Sequence, residues 1–85
     1  MQIELRFFAS VREQLGTSQE VVIVPDTVRT LGDVRHWLAQ RGPVWSETLA
    51  QGRALRMALD HQILPADTAL HEGCEVAIFP PVTGG

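Results

Sequence analysis

The chain has 85 residues, of which 45% are hydrophobic and 20% are charged, and its formal net charge at pH 7 is -3. This length and composition predict one small globular domain with a modest core, and they exclude a disordered chain. The negative charge argues against nucleic acid as the main partner. Every basic residue is an arginine, so the chain offers no lysine amine that could accept an isopeptide bond.

The cysteine content and the N-terminus bear on the cellular compartment. Cys74 is the single cysteine of the sequence, which excludes an internal disulfide framework and a Cys-rich metal site. The start at residues 1–4 has no basic region followed by an apolar run, and no apolar stretch approaches the length that spans a membrane. We therefore expect a cytoplasmic protein that makes no membrane contact.

The first third of the chain reads as strand, short helix and strand. Residues 2–7 alternate polar and apolar side chains at the period of a half-buried strand, and Phe8 falls on the polar phase. The Ser-Val-Arg-Glu run at 10–13 matches a capping box and predicts a short helix at about 10–15. The β-branched run at 20–24 predicts a second strand.

The remainder predicts a longer helix followed by several strands. Thr30 is a suitable cap for the longer helix, and Gly42-Pro43 is expected to stop it. Residues 45–51 predict another short helix that ends at Gly52. Strand patterns follow at 55–60, 63–64 and 75–79.

This order of elements predicts an α+β fold. A first hairpin, a crossover helix and a returning sheet give a mixed sheet of about five strands that is covered on one face by one main helix. This is a β-grasp, or ubiquitin-like, roll, in which the last strand lies centrally beside the first. Residues 1–79 are predicted to form the domain and residues 80–85 an extended C-terminal tail.

Two aromatic residues are predicted to lie on the helix-free face of the sheet. Phe8 and Phe79 both fall out of phase with the core residues of their strands, so neighbouring first and last strands would place the rings together. Ile63, on a short edge strand, is expected to extend this patch, which we interpret as a partner-binding surface. The alternative, that a ring tucks under a loop, stays open, above all for Phe8.

The C-terminal residues have a composition that frayed ends do not share. Pro80-Pro81 lacks backbone N–H groups and favours an extended exit from the sheet, and Val82-Thr83 is β-branched. Gly84-Gly85 brings bare backbone to the final carboxylate, and residues 80–85 could reach about 20 Å. The alternative is a frayed end without function.

No side-chain constellation predicts a catalytic or metal site. His36, His61 and His71 are separated and are interpreted as surface residues, and Cys74 has no basic cluster nearby to lower its pKa. No glycine-rich nucleotide-binding motif is present. The group that remains is the Gly85 carboxyl, which is a poor electrophile until it is activated, most simply as a mixed anhydride with phosphate from ATP.

Three segments carry a family resemblance. They are Arg6-Phe7-Phe8-Ala9 with Val11-Arg12-Glu13, then Glu75-Val76-Ala77-Ile78-Phe79, then Pro80-Pro81-Val82-Thr83-Gly84-Gly85. Over nearly its whole length the chain resembles the small subunit of molybdopterin synthase, the MoaD-like sulfur carriers.

The resemblance implies a definite function. An activating enzyme would adenylate Gly85 with ATP, and a sulfur donor would convert it to a thiocarboxylate. The tail would then enter the synthase large subunit and deliver sulfur to cyclic pyranopterin monophosphate, building the molybdopterin dithiolene. The family implies a heterotetramer of two small and two large subunits, with no cofactor bound stably by the small subunit.

The resemblance also assigns residues. Gly84 and Gly85 would carry the reactive end. Contacts with the partner would come from the following apolar and tail positions, with Arg12 as a further candidate: Phe8, Ile63, Phe79, Pro80, Pro81, Val82 and Thr83.

Two turn residues depart from the family pattern. Cys74 stands where Asp is usual, and Asp60 stands where Asn is common. We expect each to affect the stability of its turn and to leave function intact.

Three alternatives stay open. A sulfur carrier for another pathway, such as thiamine synthesis, would share the fold. A ubiquitin-like modifier would join Gly85 to lysines of other proteins. A plain binding module would have an inert tail, and an enzyme with its own side-chain active site is the least favoured interpretation.

Overall fold

The computed structural model describes residues 1–81. Within that range no helix is long and apolar enough to cross a membrane. The elements are β1 (Gln2–Phe7), α1 (Ala9–Leu15), β2 (Gln19–Ile23), α2 (Leu31–Ala39), α3 (Pro43–Thr48), β3 (Arg56–Leu59), β4 (Gln62–Ile63) and β5 (Glu75–Phe79).

The strands form one mixed sheet in the order β2-β1-β5-β3-β4. β1 pairs with β5 in parallel, with Leu5 opposite Val76, and β1 pairs with β2 in antiparallel. β5 also pairs with β3 in antiparallel, with Met57 opposite Ile78. The predicted β-grasp sheet, with its last strand beside its first, is confirmed.

The core lies between one face of this sheet and the helices. Alternate residues of β1 point into it, and Ile3, Leu5 and Phe7 are at most 1% exposed. Each such side chain contributes about 1.5–3 kcal/mol through its removal from water. α2 adds an apolar stripe at helical spacing, formed by Leu31, Val34 and Leu38, all of which are fully buried.

The predicted capping box at 10–13 is wrong, because α1 begins before Ser10. The N-cap is Phe8, which makes no side-chain capping bond, and its carbonyl accepts from the Arg12 N–H at 3.3 Å. The Phe8 N–H still donates to the Ile78 carbonyl, so the chain leaves the sheet and enters the helix within one residue. Ala9 makes that turn with a positive φ of 51°. Sheet pairing therefore decides where this helix begins.

The predicted bounds of the third helix, 45–51, are also wrong. α2 ends at Ala39, and Gly42 serves as the N-cap of α3 with Pro43 in the first turn. Proline suits that position because the first N–H groups of a helix have no intrahelical partner. Gly42-Pro43 therefore starts α3 as well as separating it from α2.

Arg41 connects the α2–α3 junction to the sheet. Its guanidinium binds Glu20 of β2 through two hydrogen bonds of 2.9 and 2.8 Å. It also lies 4.7 Å from the Trp45 ring centroid and 5.4 Å from that of Trp37. Trp45 in turn packs edge-on against Phe7, with ring centroids 5.8 Å apart. These contacts fix the helices on one face and leave the other face of the sheet open.

Candidate functional site

The helix-free face of the sheet has a flat, small-residue centre. Across the middle row Arg6 lies opposite Ala77, Ala77 opposite Ala58, and Ala58 opposite Ile63. Both alanines are only 6% exposed, whereas Ile63 is 62% exposed. Because side chains alternate between the faces of a strand, these residues point away from the core. The two alanines were not among the residues predicted from the sequence, where their only signal is small size on the non-core phase of their strands.

The two predicted phenylalanines lie at the end of the sheet where β5 leaves it. Phe7 and Ile78 are paired across the parallel ladder, and Phe8 and Phe79 are the next residues of their chains. Both are out of phase with the buried residues, so both belong to the helix-free side. Phe8 is 46% exposed and Phe79 is half-buried, which answers the open alternative for Phe8: no loop covers it.

The structure therefore places the predicted apolar residues on one face of the sheet. We call this surface the apolar patch, and its members are Phe8, Phe79, Ala77, Ala58 and Ile63.

The other predicted site residues are distributed as follows. Arg12 is exposed on α1, beside the end of the sheet that carries Phe8. Pro80 and Pro81 follow β5 without regular structure and are half-buried. Val82–Gly85, including both predicted reactive glycines, lies outside the described residues.

The start of β5, at the opposite end of the same face, is ionic. The Arg6 guanidinium lies 2.7 Å from a Glu4 carboxylate oxygen and 3.6 Å from Glu75. His61 Nε2 lies 2.9 Å from the other Glu75 oxygen. Along β5, the helix-free face is thus apolar where the chain exits and charged where the strand begins.

Asp60 and His61 form the two-residue β3–β4 turn. Their φ values are 47° and 72°, and positive φ at both positions is typical of the primed hairpin turns. Asp60 Oδ1 accepts from the Glu75 N–H at 2.9 Å, and Oδ2 lies 2.6 Å from His71 Nε2. The hydrogen bond from the Glu75 N–H holds the pKa of Asp60 below its ordinary value, and the His71 contact has a smaller effect in the same direction. The same Asp60 contact raises the pKa of His71. The Asp60 carboxylate therefore adds an ion pair to the turn when His71 is protonated.

Cys74 is a core residue. Its side chain is fully buried, although its backbone belongs to the turn, since its N–H donates to the His71 carbonyl at 3.1 Å. Burial raises the pKa of the Cys74 thiol, which disfavours the thiolate that a nucleophile requires. The expectation that its substitution acts on the turn alone is incomplete, because the side chain also contributes to packing.

The arrangement suits binding. Over residues 1–81 the structure contains no group of three or more His, Cys, Asp or Glu side chains placed to hold a metal ion. What it does contain is a flat apolar surface next to the point where the chain leaves the sheet.

Comparison with known proteins agrees with this geometry. The model of the ThiS family matches residues 5–85. A molybdopterin synthase sulfur carrier subunit of Haemophilus influenzae is 37% identical over 83 residues, covering 98% of this chain and 99% of the relative. Another, from Escherichia coli, is 40% identical over 84 residues with the same coverage.

A solved structure shares the fold along the whole chain. The crystal structure of small archaeal modifier protein 1 from Haloferax volcanii has a TM-score of 0.80 and 27% identity, and each chain is covered completely. The chain belongs to the ThiS family of β-grasp proteins and, within it, to the molybdopterin synthase sulfur carrier subunits.

Proposed function

We propose that the chain is the sulfur-carrying subunit of a molybdopterin synthase in molybdenum cofactor biosynthesis, working in the cytoplasm through the α-carboxyl group of Gly85. The observation that carries the proposal is the match to two sulfur carrier subunits over 98% of this chain. The family match extends to Gly85 itself.

The first step is activation of the Gly85 carboxylate. An adenylating enzyme would join the carboxylate oxygen to the α-phosphorus of ATP, releasing pyrophosphate and giving an acyl adenylate. A hydrosulfide equivalent from a sulfur donor would then attack the carbonyl carbon. The C–S bond forms, the C–O bond to AMP breaks, and a thiocarboxylate remains. ATP is a substrate of the activating enzyme, and the chain itself holds no cofactor.

The second step is delivery. The tail, from Pro80 to Gly85, would enter the active site of the synthase large subunit. There the thiocarboxylate sulfur would form a C–S bond to a carbon of cyclic pyranopterin monophosphate while a C–O bond at that carbon breaks and the oxygen leaves. Water then releases the acyl group and restores the carboxylate. Two deliveries supply the two sulfurs of the dithiolene, and Gly84 and Gly85 pass a narrow channel because they carry no side chain.

Docking would use the apolar patch. Phe8, Phe79 and Ile63 present apolar surface on the face that no helix covers, and the patch borders the exit of the tail. Arg12 lies at the same end of the domain on α1. An apolar centre with a polar rim is the usual composition of a protein interface.

Intact-mass measurement tests the proposal. Protein purified from its own host, or incubated with ATP, the adenylating enzyme and a sulfur donor, is expected to contain a fraction in which one oxygen is replaced by sulfur. Fragmentation should place that exchange at Gly85. Unmodified carboxylate throughout, under both conditions, would sink the carrier function.

A second candidate function is favoured by one observation. The whole-chain likeness to small archaeal modifier protein 1 makes a protein modifier the main alternative. Gly-Gly remnants on lysines of host proteins would support it. Because the chain has no lysine, it could not build side-chain-linked polymers of itself. A deletion strain distinguishes service to molybdopterin synthesis from service to thiamine synthesis. Loss of molybdoenzyme activity would indicate the first pathway, and a requirement for thiamine would indicate the second.

A further inference from the structure

An open groove lies beside β3, between the N-terminal part of α2 and the β3–β4 edge. Its volume is about 470 Å³. Leu55, Met57 and Leu64 provide apolar walls, while Ile63 and Arg56 line it from the sheet. Ile63 therefore belongs both to this groove and to the apolar patch, so the two surfaces are continuous.

One of the two arginines in the groove, Arg35, already has hydrogen-bond partners within the domain. Arg35 donates to the carbonyls of Leu49 and Arg53 at 2.9 Å each, and also to the carbonyl of Ala50. Three backbone acceptors occupy the guanidinium and hold the segment after α3 against α2. Arg35 is accordingly a structural residue of the groove.

Arg56, the other arginine of the groove, differs from Arg35 in its position and its contacts. It is exposed and lies directly opposite Phe79 in the β3–β5 pairing, one residue before the tail begins. Among residues 1–81 its guanidinium has neither a carboxylate nor a carbonyl partner, whereas Arg6 and Arg41 are both held by glutamates.

The carboxylates of this face are engaged elsewhere. Glu4 and Glu75 bind Arg6 at the start of β5, and Asp60 binds His71. The face is thus polarised along β5: its acidic groups gather where the strand begins, and a cation without a carboxylate partner among residues 1–81 lies where the strand ends. A partner that covers this end meets an apolar surface with a positive charge at its edge.

We infer that the groove beside Arg56 receives an apolar segment of the synthase large subunit that carries a carboxylate, and that Arg56 selects this segment by binding the carboxylate. The inference rests on the proposed function and deepens it. A guanidinium matches a carboxylate with two parallel N–H···O bonds, which gives geometric selectivity as well as attraction. Continuity with Ile63 and Phe79 places the contact beside the entry of the tail into its partner.

A cross-linking experiment uses the absence of lysine from the sequence. Arg56→Lys introduces the only side-chain amine of the protein, and a carbodiimide will couple that amine to a carboxylate within contact distance, forming an amide. With the recombinant large subunit of the same host we expect an amide between the introduced amine and one acidic side chain of the partner, located by peptide mass spectrometry. The matched control is Arg29→Lys, since Arg29 is exposed before α2, lines neither the groove nor the apolar patch, and donates to the Asp26 carbonyl.

Binding of charge variants to the same large subunit gives the second readout. Arg56→Glu is expected to weaken binding by at least about tenfold and to lower its salt sensitivity, because a like charge would face the partner carboxylate. Arg29→Glu makes the same change in net charge and is expected to alter binding by less than about twofold. Thermal unfolding verifies that all variants are folded.

The outcomes separate the inference from the function beneath it. If the wild-type chain binds the large subunit but Arg56→Glu and Arg29→Glu bind alike, or if Arg56→Lys yields no amide to the partner, the groove inference is overturned and the carrier function stands. If the wild-type chain does not bind the large subunit at all, both fail.

Discussion

His71 Nε2 lies 2.6 Å from Asp60 Oδ2, and this contact joins the loop that precedes β5 to the β3–β4 turn. The other oxygen of Asp60 accepts the N–H of Glu75, the first residue of β5. One aspartate thus holds the start of the central strand, and the histidine holds the aspartate. His61, which binds Glu75, is a further titratable group that acts on Asp60.

The Asp60–His71 pair predicts a pH dependence of stability. Because the pKa of His71 is raised in the folded chain, its contribution to stability is complete at pH values below the pKa of the unfolded chain. That contribution is lost as the pH rises through the pKa of the folded chain. The lowered pKa of Asp60 means that its contribution is complete above its unfolded pKa and is lost as the pH falls through the folded value. The pair is therefore fully effective between about pH 4 and about pH 6.5. We expect the melting temperature of His71→Gln to fall below that of the wild type within this window and to converge with it at alkaline pH.

Both groups are solvent-exposed, so the expected effect is small. His36→Gln serves as the control, since His36 is an exposed helix residue with no carboxylate contact among the described residues. Coincident pH profiles for the wild type and His71→Gln would show that the contact contributes nothing to stability.

Substitution of Cys74 tests its assignment to the core. Cys74→Asp puts a carboxylate where the thiol is fully buried. We expect the free energy of unfolding to fall by at least about 1 kcal/mol at neutral pH. Because burial would raise the pKa of the new carboxyl, the loss should shrink at acid pH.

Cys74→Ala is the matched control, since it removes the thiol without adding charge. Sulfur transfer per folded molecule is expected to be unchanged in both variants. Altered transfer by Cys74→Asp at unaltered thermal stability would contradict the structural role.

Replacement of Phe79 tests the apolar patch. Phe79→Arg places a charge at the end of β5, where the domain is proposed to meet the large subunit. We expect the affinity for that subunit to fall by at least about tenfold, as for a central interface aromatic. Val44→Arg is the control because Val44 is an apolar residue of α3 that is 52% exposed outside the patch. Equal affinities of the two variants, measured by titration calorimetry, would remove the patch from the interface.

Changes at Gly85 separate docking from delivery. Deletion of Gly85 is expected to leave a folded chain that binds the large subunit with unchanged affinity and yields no molybdopterin in a reconstituted assay. Gly85→Ala keeps a terminal carboxylate and adds one methyl group, so it tests the narrowness of the channel. Product formation by the deletion variant at the wild-type rate would show that Gly85 is not the carrier.

Much of the fold could be predicted because it follows local periodicity. The alternation that buries Ile3, Leu5 and Phe7 also predicted that Phe8 would face away from the core, and the structure confirms it. The Thr30 cap was equally local: its hydroxyl and the Asp33 carboxylate form the reciprocal capping box.

The errors occurred where distant contacts decide. Ser10 looked like a helix cap, but pairing of Phe8 with Ile78 moved the helix start. The run at 21–24 is apolar throughout, and only the folded sheet shows that Val21 and Ile23 lie on its helix-free face, where they are 57% and 77% exposed. Likewise, only the folded chain shows that Arg6 and Arg41 are paired with glutamates, whereas Arg56 has no carboxylate partner among residues 1–81.

The position of β5 has a mechanical consequence. β5 is hydrogen-bonded to β1 on one side and to β3 on the other, and Pro80 continues directly from its end. A pull along the tail is therefore borne by two ladders loaded along their length, whereas a strand at the sheet edge could be peeled away one bond at a time. An enzyme that draws the tail into a deep channel can thus pull on the domain without unfolding it.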